Sequence, residues 1–181
     1  MLVLLDRDGV INEDDPVGVL RFEQFVFLPR AIEGIVKLTK AGFNIVVCTN
    51  QAAIGRGMTT HAIVNEVHTY MRAEVEKAGG KIDEVYYASA APEMPSIWRK
   101  PAPGMLLEGM NNFSADPART PFVGDMVRDL EAALAAGCPR ILTRTGKGAK
   151  LEAAGIPAHL NPVTVTDDLS SAADLIIATY R

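Results

Sequence analysis

What most constrains this chain is a rhythm. Short apolar runs that break off at polar or glycine-containing sequence alternate with stretches of helical period. The runs cover residues 2–6, 44–49, 84–89, 121–124 and 140–143. Helical patterns fill residues 31–40, 60–78, 104–111 and 126–136, with Gly42, Gly79-Gly80 and Gly137 as stops. A last helix is expected over about residues 166–179, capped near Thr166. Parallel neighbours need crossover connections and these are normally helical, so the order predicts an α/β fold with a mainly parallel sheet and helices on both faces. Ligands bind such sheets at the carboxyl ends of the strands. Residues 12–28 and 91–103 follow strands without clean periodicity and are the candidate functional loops. At 181 residues, 48% of them apolar, with no internal repeat or low-complexity linker, the chain is read as one domain spanning 1–181.

Four of the expected strand ends carry residues suited to chemistry. The first reads Asp6-Arg7-Asp8-Gly9, two carboxylates separated by one residue. One of such a pair can attack phosphorus while the other carries a proton to the leaving oxygen and later takes one from water. The bland alternative is a solvated polar strand end. The second, Thr49-Asn50-Gln51 followed by Gly55 and Gly57, offers a hydroxyl and a turn that approaches a ligand closely, but alone it reads equally as a loop. The third, Arg99-Lys100-Pro101-Ala102-Pro103, sets two cations before a proline-stiffened helix start. Lys100 can neutralise a phosphoryl group as charge develops, and Arg99 can fork onto a second phosphate or a carboxylate. The alternative is a surface pair, which would not need prolines to fix its direction. The fourth, Gly124-Asp125-Met126-Val127-Arg128-Asp129, places one acid at a strand tip and another a helical turn later. Asp125 can reach the same cation as Asp6 with Asp129 behind it, or it can simply cap a helix. Each signal is modest singly; four in order, each ending a strand of one sheet, make coincidence improbable.

Other features narrow the partners. A formal charge of -4 and 6% aromatic residues give no general attraction to nucleic acid or to an anionic membrane. The apolar start meets Asp6 at once, with no basic segment before it, and reads as a strand and not a signal peptide. No apolar run approaches the roughly 20 residues that span a bilayer, so a cytoplasmic location is expected. Cys48 and Cys138 are isolated and read as buried thiols. His61 and His68 stand seven apart, a spacing that a helix surface explains without a metal. With no apolar helical seam in view, a monomer is the default.

Together Asp6-x-Asp8, Thr49, Lys100 and Gly124-Asp125-x-x-x-Asp129 resemble the four motifs of the haloacid dehalogenase superfamily, over about residues 2–137. More narrowly, Asp6 to Asn12, Thr49-Asn50-Gln51 and Arg99-Lys100-Pro101-x-Pro103-Gly104-Met105 are similar to the branch of histidinol-phosphatases and D,D-heptose 1,7-bisphosphate phosphatases, which lacks a large cap domain. The resemblance implies a three-layer Rossmann-like fold and an aspartyl-phosphate mechanism on a small phosphorylated metabolite. Asp6 would be the nucleophile and Asp8 the acid/base. Mg²⁺ would be held by Asp6, the Asp8 backbone carbonyl and Asp125, with Thr49 and Lys100 on the phosphoryl oxygens. Arg99 would recognise the rest of the substrate, Asn50 and Gln51 would shape the pocket, and the loop of residues 14–17 would fall where the heptose branch contacts its sugar.

The chain departs from that branch at three places. Residues 88–98 lack the cysteines and histidine of the zinc-binding loop that many members carry, so no zinc is expected. Val10 replaces a commoner threonine, and Met126 stands where the heptose enzymes tend to have lysine. A sugar bisphosphate such as D-glycero-D-manno-heptose 1,7-bisphosphate is the first expectation for the substrate and histidinol phosphate the second. A polynucleotide 3′-phosphatase shares Thr49-Asn50-Gln51 and Arg99-Lys100-Pro101, but it calls for a basic groove with aromatic platforms. A non-catalytic phosphate-binding module has no use for two crowded carboxylates, and a kinase finds no G-x-x-x-x-G-K-[ST] loop.

Overall fold

The computed structural model describes residues 1–15, 17–94 and 96–181. Six parallel strands form one sheet: β1 (Leu2–Leu5), β2 (Asn44–Asn50), β3 (Glu84–Ala88), β4 (Phe122–Gly124), β5 (Arg140–Thr143) and β6 (Val163–Thr166). Their order is β3-β2-β1-β4-β5-β6. The chain builds outward from β1 in one direction, then returns to lay β4 on its other side. β1 is therefore flanked by β2 and β4, with Leu4 beside both Val46 and Phe122. The order reverses between β1 and β4, and there the connections leave in opposite directions and open a crevice at the strand ends.

Side chains of a strand alternate between faces, and β1 shows what each face buries. Val3 and Leu5 join a core with Ile35, Leu38, Val67, Met71 and Ile176, supplied by the helices α1 (Ala31–Lys40), α3 (His61–Lys77) and α7 (Leu169–Tyr180). Leu2 and Leu4 face the other way, onto Met105, Leu106, Met110, Ala132 and Ala133 of α4 (Gly104–Asn112) and α5 (Val127–Ala136). Each helix turns an apolar stripe to the sheet, giving helix, sheet and helix layers. Two shorter helices complete the set, α2 (Ala52–Gly55) after β2 and α6 (Gly148–Ala154) after β5. No described helix is long and apolar enough to cross a membrane.

The parallel α/β architecture read from the sequence is the one observed, with two corrections near the carboxyl end. Val163–Thr166 is a sixth strand, paired with β5 from Arg140↔Val163 to Thr143↔Thr166. The last helix accordingly starts later than expected, at Leu169, and its cap is Asp168, whose carboxylate accepts from the Ser171 N–H at 2.7 Å. Val-Thr-Val-Thr alternates, but four residues are too few for the pattern to stand out beside a helix start.

Candidate active site

The site forms where β1 and β4 end side by side. Asp6 N–H donates to the Val123 carbonyl at 2.9 Å, so the β1–β4 ladder continues into the motif and fixes the first carboxylate. Gly9 makes the exit with φ +85°, and a Cβ there would lie 2.2 Å from Asp125 Oδ2, a position only glycine can occupy. Asp125 follows β4, and Asp129 sits in the first turn of α5. Asp129 Oδ2 accepts from the backbone N–H groups of Asp125 (3.2 Å) and Met126 (3.0 Å), which shapes the turn between strand and helix. Asp125 itself is not the helix cap; Met126 occupies that position.

Asp6, Asp125 and Asp129 each direct a carboxylate oxygen to one place, all within 4.8 Å of one another. One cation is built into the group: Lys100 Nζ lies 2.8 Å from Asp6 Oδ1 and 2.8 Å from Asp129 Oδ1, above the Phe122 ring. Asn50 holds this lysine by its backbone, donating from Nδ2 to the Lys100 carbonyl (2.9 Å) and accepting the Lys100 N–H on Oδ1 (3.0 Å). Against burial, which disfavours its charge, Asp129 and Asp6 hold the Lys100 ammonium above its usual value. One ammonium does not balance three buried carboxylates. Burial first, then repulsion from Asp129, pushes Asp6 up to about 7, and the same two causes push Asp125 up to about 8. Asp125 Oδ1 is buried with no hydrogen-bond partner. A hollow of crowded hard oxygens, one of them orphaned and short of positive charge, fits a divalent cation such as Mg²⁺.

Asp8, two residues on, is held differently. Arg7 Nη2 donates to its Oδ1 at 2.8 Å and its Oδ2 at 3.1 Å, Asn12 Nδ2 to Oδ1 at 2.9 Å, and Gln51 Nε2 to Oδ2 at 2.9 Å. The Thr49 hydroxyl donates to Oδ2 at 3.3 Å and accepts from Gln51 Nε2 at 2.9 Å. Burial works to raise the Asp8 carboxyl, but the Arg7 charge and these hydrogen bonds outweigh it and hold the group below the usual carboxylate value. Thr49, expected on the phosphoryl oxygens, and Gln51, expected to shape the pocket, are both buried and both hydrogen-bonded to Asp8 at the end of β2.

Arg99 lies at the rim, half-buried, with Nη1 donating to the Ala90 carbonyl at 3.2 Å. Burial first, then the charges of Arg128 and Arg56, lower its guanidinium, so both of those arginines lie within electrostatic reach of Arg99. A cavity of about 510 Å³ opens beside Asp125, with Met126, Arg128, Lys147 and Lys150 in its walls. Of the loop 14–17, Pro16 lies outside the described residues; the Asp14 carboxylate pairs with Lys147 Nζ across the site.

Sequence reasoning missed the segment after β5. Thr145 donates to the Gly9 carbonyl at 2.7 Å, and the Lys147 N–H donates to Asp125 Oδ2 at 2.9 Å. Between them Gly146, at φ +56°, leaves no room for a Cβ, which would lie 2.2 Å from Asp125 Oδ2. No motif marks this loop; only a glycine flanked by polar residues after a strand hinted at it. Asp129 was expected behind Asp125, and the structure sets it within the carboxylate group, paired with Lys100. His68, read as part of a helix surface, is instead buried at 6% exposure on the inner side of α3. Among the described residues, Asp6, Asp125 and Asp129 are the one group of three or more histidine, cysteine or acidic side chains arranged to hold a metal ion.

Known proteins resemble this chain along nearly all its length. The family described as HAD-hyrolase-like matches residues 97–172. The D-glycero-beta-D-manno-heptose-1,7-bisphosphate 7-phosphatase of Bordetella bronchiseptica is 35% identical over 177 residues, 97% of each chain. The protein of the same description from Pseudomonas putida is 37% identical, over 97% of this chain and 99% of its own. Among solved structures, the B. bronchiseptica D,D-heptose 1.7-bisphosphate phosphatase complexed with magnesium and phosphate superposes with a TM-score of 0.92 at 35% identity, over 98% of both chains. The corresponding enzyme of Burkholderia thailandensis gives 0.76 at 37% identity, over 98% of this chain and 99% of its own.

Proposed function

We propose, from the premise that this chain belongs to the haloacid dehalogenase-like phosphatases, that it hydrolyses a sugar bisphosphate of the D-glycero-D-manno-heptose 1,7-bisphosphate type through a phosphorylated Asp6. The observation that carries the chemistry is the convergence of Asp6, Asp125, Asp129 and Lys100 at the tips of two adjacent strands. The substrate class rests on relatives of that description that match 97% of the chain.

In this reading an Asp6 carboxylate oxygen attacks phosphorus, the bond from phosphorus to the sugar oxygen breaks, and its electron pair leaves on that oxygen, which takes a proton from Asp8. Water then attacks the phosphorus of the acyl phosphate and gives a proton to Asp8. Inorganic phosphate departs and the Asp6 carboxylate returns. Lys100 is fully buried beside the nucleophile, so its charge stands ready where the transferring oxygens gain negative charge, with no solvent to reorganise. Asp6, the Asp8 backbone carbonyl and Asp125 would hold Mg²⁺, which when bound offsets repulsion between the carboxylates and the incoming phosphate. Arg99, with Arg56 and Arg128 near it, supplies the positive charge that a second, retained phosphate requires.

Phosphate release is the test. Both anomers of the heptose bisphosphate, histidinol phosphate and a 3′-phosphorylated oligonucleotide are offered with Mg²⁺, to the wild-type protein and to Asp6→Asn. The heptose bisphosphate should lose one phosphate with the highest kcat/KM, and Asp6→Asn should fall by about 10⁴-fold or more, as loss of a nucleophile does. Faster turnover of histidinol phosphate would remove the substrate assignment and leave the chemistry. Turnover that survives Asp6→Asn would sink the mechanism.

A further inference from the structure

Behind Asp8 runs a buried chain of contacts that leads to a residue outside all four strand-end motifs. The Arg7 side chain has no solvent exposure. One edge of its guanidinium is taken up by Asp8, with Nη2 on both carboxylate oxygens and Nε on Oδ1 at 3.2 Å. Its remaining nitrogen, Nη1, points the opposite way and lies 3.0 Å from His68 Nε2. A guanidinium has donors only, so His68 Nε2 is the acceptor and the imidazole is neutral, with its proton on Nδ1. His68 lies on the face of α3 that also buries Val64, Val67, Met71 and Val75, a position where a helix packing on a sheet ordinarily places an apolar side chain. Its ring centroid is 5.5 Å from that of Tyr87, and the Arg7 Cζ is 5.9 Å from the Phe25 ring.

We propose that His68 is a positioning residue for the reaction: it fixes Arg7, and Arg7 fixes the Asp8 carboxylate. The proposal rests on the reading of Asp8 as the proton carrier. That group has to meet the leaving oxygen in one half of the reaction and a water in the other from a single place, so its orientation matters to both. A long arginine side chain holds one rotamer in a dry interior only while each end of its guanidinium has a partner. Without the His68 acceptor, Nη1 is left unmatched, the guanidinium turns to find a partner, and its grip on Asp8 shifts. Asn12, Gln51 and Thr49 hold Asp8 from other directions, so the effect is a loosening and not a release.

Steady-state phosphate release with Mg²⁺, alongside thermal unfolding, tests this on His68→Leu and His68→Gln. Leucine fills the space and accepts nothing; glutamine presents an oxygen at about the depth of Nε2. His68→Leu should lower kcat about tenfold with KM within about twofold, the pattern of lost orientation at the reacting group. His68→Gln should recover most of that loss. Should His68→Leu not fold, His68→Met, apolar and more adaptable, takes its place with the same expectation. An unchanged kcat in the apolar variant, a loss confined to KM, or a folded His68→Gln as slow as His68→Leu would each overturn the proposal. Asp8→Asn separates it from its foundation. If Asp8→Asn keeps full turnover, the proton-carrier reading falls and this one with it; if Asp8→Asn is inactive while His68→Leu is unaffected, only the role of His68 falls.

Discussion

Asp6 and Asp8 leave the same strand two residues apart, Asp6 buried and Asp8 part-buried, yet one enters a carboxylate-rich hollow and the other a cage of donors. Around Asp6 stand Asp125, Asp129 and a single ammonium, and its carboxyl is pushed up to about 7. Around Asp8 stand Arg7, Asn12, Thr49 and Gln51, and its carboxyl is held below the usual value. Desolvation acts on both in the same direction, so the difference lies in the partners. The Asp6 side is built with a deficit of positive charge that a bound cation would offset; the Asp8 side is already satisfied by protein groups. Two carboxylates that the sequence presents as a matched pair are thereby set in opposite charge environments.

The comparison breaks most sharply at Lys100. Lys100→Met removes the one cation of the Asp6 side and nothing from the Asp8 side. It should lower kcat by about 10²–10³, the effect of losing a preorganised charge. It should also destabilise the metal-free protein by about 3–5 kcal/mol, as breaking a buried ion pair does. Urea unfolding with and without Mg²⁺ checks this, with part of the loss regained in Mg²⁺ because a cation returns to the hollow. A variant as stable as wild type without metal would mean that the carboxylates there stay protonated and need no cation.

Gln51→Leu breaks the other side. It removes one of three donors to Asp8 Oδ2 and the donor to the Thr49 hydroxyl. A hydrogen bond to a charged group contributes about 1.5–3 kcal/mol, and a loss of that size is expected in denaturant unfolding. The stabilisation by Mg²⁺ should stay as in wild type, since the substitution leaves the Asp6 side untouched. A changed response to Mg²⁺ would show that the two sides are coupled.

The smallest effect is expected from pH. In the metal-free protein Asp6 and Asp125 have folded-state values of about 7 and about 8 against 3.8 when unfolded, so the folded state holds more protons between those limits and stability falls as pH rises through them. Mg²⁺ bound in the hollow would replace those protons, and the rise in Tm on adding it should be larger at pH 8.5 than at pH 6. Asp8 has the opposite sign: its contribution is complete above the unfolded value and is lost only as pH falls through the lower folded one, so it adds nothing to this difference. Equal shifts in Tm at the two pH values would indicate that Asp6 and Asp125 are already ionised without metal.

Much of this was legible in the chain. Five strands showed because a buried parallel strand is a short apolar run that ends abruptly at the loop it feeds, and Asp6, Thr49 and Asp125 stand at such ends. The sixth strand did not show, since Val163–Thr166 is only four residues long, too short for its alternation to stand out before a helix start. The loop carrying Thr145, Gly146 and Lys147 was hard to read for another reason: it acts through one hydroxyl, one backbone N–H and the absence of a side chain, a combination that no residue pattern marks. His68 looked like surface because a seven-residue spacing to His61 is what any helix face gives.

The sequence by itself determined which residues stand at the strand ends and in what order, because hydrophobic period and strand termination are local properties. Only the tertiary structure decided what those residues are. Asp129 and Lys100 reach Asp6 from other elements, and His68 reaches Asp8 through Arg7 from a helix some sixty residues along the chain, His68 being 61 positions from Arg7. A buried carboxylate takes its character from the charges and donors within a few ångströms, and those neighbours are set by how the helices fold back over the sheet.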